Sequence, residues 1–192
     1  FGYMNGKLFD ILINRRQSTP EHCDNVVFVC IDQKSIDFFD ENNSIGWPWP
    51  REFHGYLLEY LNKHGAKAVF FDIVFSEPDI NRTDSAAGDS YFATAIEETG
   101  IAYLAVSGHY SGYKDSLRFD SKWIIGDTGP YQRFRGVPSY PSVLYPIPEL
   151  MRGSASRGIV NILPEDDGIH RRYPLVSKLG SKLAPSIALS VV

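Results

Sequence analysis

Asp32 and Asp72 each follow an apolar run, Val26-Val27-Phe28-Val29-Cys30-Ile31 before the first and Ala68-Val69-Phe70-Phe71 before the second. A β-branched run that stops on an aspartate reads as a buried strand delivering a carboxylate. Ligands of open α/β sheets bind beyond the carboxyl ends of the strands. Two parallel neighbours would set both carboxylates at one edge of such a crevice, where they could meet a ligand or a cation. The competing reading is structural: the two aspartates cap helices and turns, or pair with Arg51 or Arg171. A catalytic carboxylate pair comes third.

Other residues could share that crevice. Trp47 and Trp49 are locked between Pro48 and Pro50, and prolines reduce the entropy lost on ordering the loop. The tryptophans suit an aromatic wall over a ligand or a hydrophobic plug closing the sheet. Arg51 opens a helix, where the helix dipole opposes a cation, so an anionic partner is expected from Asp32, Asp72 or Glu77. His54 lies one turn on and is either a surface or packing residue or a pH-sensitive group. Arg171 alternates with Ile169, Tyr173 and Leu175; if that apolar set faces inward, Arg171 is buried and must be paired. Two strand-end carboxylates repel each other, and a guanidinium fork between them answers that repulsion. Asp32, Asp72, Arg51 and Arg171 are therefore expected to converge beneath the Trp47–Trp49 loop.

Several chemistries lack their parts. No Gly-x-x-x-x-Gly-Lys occurs, and Asp32-Gln33-Lys34-Ser35 is not the Asp-x-Asp that phosphoryl transfer would want. No Gly-x-Ser-x-Gly elbow occurs for serine catalysis. Cys23 and Cys30 have no metal-ligand spacing, and an extended segment between them puts them beyond disulfide reach. Cys30 is expected as a buried thiol filling core space. No catalytic residue, metal or cofactor is expected. The net charge is −4 with both signs spread along the chain, so no nucleic-acid partner is expected.

The elements that must position these residues alternate. Val26–Ile31, a helix from Arg51, Ala68–Val74, a helix around Tyr91–Ile96, and Ile101–Val106 predict a parallel core with right-handed crossovers. The helix from Arg51 carries Phe53, Tyr56, Leu57, Tyr60 and Leu61 on one face. Asp166-Asp167-Gly168 between Arg157–Leu163 and Ile169–Lys178 signals a hairpin added to the same sheet. A last helix is expected from Pro185. The fold class is α/β: a single domain over residues 1–192 with a mixed sheet and helices on both faces. Residues 107–147, rich in Gly, Ser, Pro, Tyr and Asp, are expected as an irregular, aromatic-rich excursion on the surface. No apolar run reaches the roughly 20 residues of a spanning helix.

Six motifs in order then carry a resemblance: Ile31-Asp32, Trp47 to Arg51, Phe71-Asp72 with Ser76-Glu77-Pro78, Gly158-Ile159-Val160-Asn161, Asp166-Asp167-Gly168, and Arg171-Arg172-Tyr173-Pro174. The chain resembles the CHASE family, type two, sensory domains on the outer side of bacterial receptors such as adenylate cyclases and histidine kinases. Tyr110 to Tyr145 matches nothing in that pattern. The resemblance implies a non-catalytic, ligand-sensing module on the periplasmic or extracellular face of the cytoplasmic membrane. In the intact receptor it would be tethered to the membrane, with a cytoplasmic cyclase or kinase as effector. Its signal would be a small molecule or peptide, and a homodimer is possible in that setting. The alternative is a structural or dimerisation domain that holds transmembrane segments in register. The chain reads as a fragment of such a receptor, because Ser190-Val191-Val192 stops inside an apolar helical pattern. Its two terminal helices are expected to lie close together.

Overall fold

A computed structural model describes residues 2–15, 25–79, 85–111, 123–129 and 136–191. The chain is mixed α/β, with six helices and eight strands among the described residues. It divides into two units: Phe1–Trp49 with Leu163–Arg171, and Pro50–Ile162 with Arg172–Val192.

The first unit contains α1 (Gly2–Arg15) and α2 (Gln33–Asn43). Helix α2 ends at Ser44, whose left-handed φ of 55° lets its own N–H donate to Asp40 O and the next N–H, of Ile45, to Phe39 O. The expected central strand is absent here. Val26–Ile31 forms no ladder, and Val27 and Phe28 are 80% and 87% exposed. Cys30 is exposed and free rather than buried; Cys23 lies outside the described residues. The composition of this run satisfies strand propensity, but propensity measures fit to a pleated, half-buried surface and supplies no partner.

All eight strands among the described residues belong to the second unit. There α3 (Arg51–Lys63) precedes β1 (Val69–Phe71), α4 (Ser85–Thr99) and β2 (Ala102–His109). Strands β1 and β2 are parallel, with Val69 opposite Ala102 and Phe71 opposite Leu104. After β3 (Gly126–Asp127), β4 (Ser139–Tyr140), β5 (Ser142–Leu144) and α5 (Pro148–Gly153), the chain returns as β6 (Ser156–Ile159). Strand β6 lies parallel to β2 over Tyr103–Val106, and β5 pairs antiparallel with Ser107–His109. Strand β2 is thus central and nearly wholly buried, as its continuous apolar run requires.

A second sheet, ordered β3-β8-β7-β4, uses β7 (Val176–Leu179) and β8 (Lys182–Pro185). The C-terminal hairpin is this β7–β8 pair, closed at Gly180-Ser181, and not the expected pairing of Arg157–Leu163 with Ile169–Lys178. Asp166-Asp167-Gly168 does form a tight turn, with Gly168 N–H donating to Glu165 O and Glu165 N–H to Ile169 O. The flanking runs then part, because Ser156–Ile159 finds β2 and Val176–Leu179 finds β8. Pro185 ends β8, and Ser186 caps the short α6 (Ile187–Ser190).

Two apolar clusters fill this unit. One joins Leu58, Phe71, Phe75, Phe92, Ile96, Leu104 and Leu150. The other joins Val106, Trp123, Tyr140, Val143, Tyr145, Ile159 and Leu179. Each fully buried Phe or Leu contributes about 1.5–3 kcal/mol over exposure. The second cluster corrects the surface excursion expected over residues 107–147. Its described part supplies the end of β2, then β3, β4 and β5, together with the buried Trp123 and Tyr140. Among the described aromatic residues of that stretch, Trp123, Tyr140 and Tyr145 are core and Tyr110 is exposed, and the strands there are too short for periodicity to reveal; residues 112–122 and 130–135 lie outside the described residues.

Helix α3 is also rotated from expectation. His54, Gly55 and Leu58 face inward, whereas Tyr56 and Tyr60 are exposed. Tyrosine tolerates a wet face because its hydroxyl does, and Gly55 lets α4 approach so closely that a Cβ there would lie 2.8 Å from the Tyr91 ring.

Candidate functional site

The charged centre of the second unit forms where α3, the segment after β1, and α4 meet. Phe75 is fully buried, and its carbonyl accepts from Ile147 N–H at 2.8 Å. This fixes the start of Ser76-Glu77-Pro78-Asp79. Arg51, at the first position of α3, lays its guanidinium over the Phe75 ring at 4.5 Å. Its Nη2 donates to Glu77 O at 2.9 Å. Its backbone N–H donates to Asp79 Oδ2 at 2.9 Å, so Asp79 caps the helix that Pro50 cannot cap with a side chain. Asp79 N–H in turn donates to Asp89 Oδ2 of α4 at 2.9 Å. The ring of contacts closes with an Arg51 Nε to Asp89 Oδ1 ion pair at 3.5 Å, in which neither buried atom makes a hydrogen bond among the described residues.

Below this ring sits His54, 4% exposed and surrounded by Phe71, Phe75 and Phe92 at ring-centre distances of 5.1–6.2 Å. Burial, with the Arg51 charge second, drives its imidazole down to about 4, so it is neutral at physiological pH. Asp89 is displaced oppositely. Burial raises its carboxyl, and Asp79 and Glu149 add to the rise against the lowering effect of the Asp79 N–H and Arg51.

The helix-initial arginine therefore has the anionic partner that its position demands. The carboxylate is Asp89, with Asp79 beside it, and of the expected candidates only Glu77 takes part, through its carbonyl. Asp72 follows β1 at its carboxyl end, as expected, and is exposed there. Arg51 is not the fork between Asp32 and Asp72 that the sequence suggested. That geometry needed Val26–Ile31 as a strand beside β1.

The remaining residues lie in the first unit. Asp32 is the N-cap of α2, its Oδ1 accepting from Ser35 N–H at 2.9 Å and from the Ser35 hydroxyl at 2.7 Å. Trp47 and Trp49 meet edge to face at 5.7 Å, and Trp49 also packs against Phe39 at 4.7 Å. Trp47 is exposed and Trp49 half-buried. Arg171 has its side chain 4% exposed, as the pairing argument required. It makes bidentate bonds to Asp10 (2.7 and 2.8 Å) and to Asp167 (2.9 and 2.8 Å), and a further bond to Glu165 at 3.0 Å. The Arg171 guanidinium holds the Asp167 carboxyl down to about 2. Arg171 is not on a strand, and its supposed neighbours Ile169 and Leu175 are exposed. Its burial comes from three carboxylates and not from an apolar face.

The partners missed in sequence are Asp79, Asp89 and Asp10. Asp89 lies inside α4, which begins at Ser85, ahead of the Tyr91–Ile96 stretch that marked the helix in sequence. Asp10 did leave a signal: an acid inside the apolar stripe Leu8, Phe9, Ile11, Leu12 implies a cation opposite.

One motif resolves into architecture. Asn161, just past β6, donates through Nδ2 to Gly108 O at 2.9 Å and accepts at Oδ1 from Gly108 N–H at 2.6 Å. Its side-chain amide thus continues the β2–β6 pairing where the backbone ladder stops. Asn161→Asp keeps the acceptor, removes the donor and places a charge against a carbonyl. It should cost about 2 kcal/mol, measured as a lower denaturant midpoint at pH 7 with an unchanged slope.

A family model of the CHASE2 domain matches residues 1–192, the whole chain, and the chain belongs to that family. CHASE2 domains are extracellular sensory domains of cyclases and kinases, and they are not catalytic. Neither the curated proteins nor the solved structures include a match to the chain. No described helix is long and apolar enough to cross a membrane, and no group of described side chains has the makings of a metal site.

Proposed function

We propose that this chain is the ligand-sensing module of a transmembrane receptor of the cyclase or kinase type, held on the periplasmic or extracellular face of the cytoplasmic membrane. The family match over the whole chain carries this reading. The Arg51, His54, Asp79 and Asp89 centre supports it, because a buried ion pair held at 3.5 Å leaves donor and acceptor capacity that a ligand can recruit. Asp32, Asp72, Trp47, Trp49 and Arg171 stay within the proposal as ligand contacts. The test is thermal-shift screening of the domain against metabolites, short peptides and ions. A ligand at about 100 times its Kd should add roughly 2.7 kcal/mol, and Arg51→Met should abolish the gain in a domain that remains folded. A screen in which no compound stabilises the domain would overturn the reading.

The second reading, a dimerising spacer, has its own observation. Leu8, Ile11, Leu12 and Ile13 of α1 are exposed, as are Val26–Val29. Surface of this kind on the first unit suits a protein partner or a second copy. Sedimentation as a monomer at high micromolar concentration would count against it.

A further inference from the structure

Helix α1 carries a notch on the face that meets Arg171. Gly6 and Asp10 are four residues apart and so lie on one side of the helix. Gly6 is buried, and a Cβ on it would lie 3.3 Å from both Cζ and Nη1 of Arg171. Glycine is a poor residue inside a helix, but here it clears the space that the guanidinium fills. Asp10 closes the notch, accepting from Nε at 2.7 Å and from Nη2 at 2.8 Å. The far edge of the same guanidinium holds the turn. Asp167 accepts from Nη1 at 2.9 Å and Nη2 at 2.8 Å, and Glu165 accepts from Nη1 at 3.0 Å. A guanidinium has five N–H groups, one on Nε and two on each Nη, and these bonds match them one for one. The plane and the direction of the group are therefore fixed at both edges, which a lysine ammonium cannot do.

The apolar side chains of α1 do not supply this attachment. Leu8, Ile11, Leu12 and Ile13 are 49–57% exposed, and a helix of 14 residues is marginal by itself. The turn has its own short frame, with Gly168 N–H on Glu165 O and Glu165 N–H on Ile169 O. The chain leaves the first unit at Arg171 and enters the second at Arg172.

We propose that Arg171 is a coupling joint that makes α1 and the turn Glu165–Ile169 one body, so that a displacement of the backbone at Arg171 is carried to α1. Its use in signalling rests on the sensory reading. The joint itself does not, and its test needs no ligand, so failure of either leaves the other standing.

The test is native-state hydrogen exchange of the 192-residue domain at low denaturant. In the wild type, the slowest amides of α1 and those of Glu165 and Gly168 should open together, with one denaturant dependence and more readily than the amides of β2. Asp10→Asn should lower protection in both places by the same factor, roughly tenfold or more for a lost bond to a charged group, and leave β2 unchanged. Gly6→Leu separates the joint from simple helix stability. Leucine is the better helix former, so α1 should gain protection if Gly6 is only a position in a helix. With the guanidinium in the notch, α1 and the turn should both lose it. The proposal is overturned if Gly6→Leu raises α1 protection, if Asp10→Asn frees α1 while the turn keeps its protection, or if α1 and the turn open separately in the wild type. The wild-type measurement decides the matter even if neither variant folds.

Discussion

Lowering the pH from 7.5 to 4.5 should remove about 2 kcal/mol of stability through His54 alone. The imidazole titrates near 6.5 in the unfolded chain and at about 4 in the fold, where burial disfavours its charged form and Arg51 adds repulsion. A base with a depressed folded value is fully stabilising above its unfolded value. The contribution is lost as pH falls through the interval down to the folded value. The window is thus pH 6.5 to about 4. Asp89 opposes the trend, since a raised carboxyl makes the folded state the better proton acceptor. Asp10, Asp32 and Asp167 are held low by their hydrogen bonds, so most of their stabilisation is lost below this window, as pH falls from the unfolded aspartate value of about 3.9 toward the folded ones. Denaturant midpoints at pH 7.5 and 4.5 check the claim. In His54→Leu the drop between the two pH values should shrink by about the same 2 kcal/mol, whatever the variant does to stability at pH 7.5. An unchanged drop would show that His54 is not the group responsible.

What the sequence disclosed about His54 was its place in a helix, and not its burial. The apolar residues of α3 point to the tyrosine face, but amphipathic rings are poor witnesses to the interior because their polar ends accept solvent. The small Gly55 and the partner helix decide the facing, and neither contact is local in sequence. The parallel pair of β1 and β2 was legible for the opposite reason. A wholly apolar run of strand length, followed by a helix and a second such run, has few ways to close. Val26–Ile31 shows the limit, since the same composition without a partner stays exposed. Ion pairs follow a similar rule. That Arg51 and Arg171 must be paired is readable from helix position and from burial. Which carboxylate answers is set by loops that bring residue 10 beside residue 171, and residue 89 beside residue 51. The chemistry of a cluster is therefore more legible than its membership.

Gly158→Ala should be the most damaging single methyl group in the second unit, at about 3 kcal/mol or more, the upper end for overpacking a well-filled site. Gly158 is in β6, where the chain runs against the start of α6 and Ile159 bridges to Ser186. A Cβ on it would meet Ile187 Cα at 2.2 Å, Ile187 N at 2.3 Å and the Ser186 carbonyl carbon at 2.6 Å. Every obstacle is main chain, so no rotamer change relieves the clash; either β6 leaves β2 or α6 lifts away. Gly108→Ala is the instructive contrast, because the atoms it meets, at 2.4–2.7 Å, belong to the Tyr140 ring. Truncating Tyr140 should recover part of the Gly108→Ala loss, whereas Ile187→Ala should recover none of the loss at Gly158. Gly126→Ala, with open space around the glycine, serves as the neutral control and should stay within about 0.5 kcal/mol of the parent. Denaturant midpoints of these single and double variants decide the matter. Recovery of Gly158→Ala by Ile187→Ala would place the obstacle in a side chain, and the Gly of the Gly-Ile-Val-Asn motif would then lose its explanation as the point where two backbones touch.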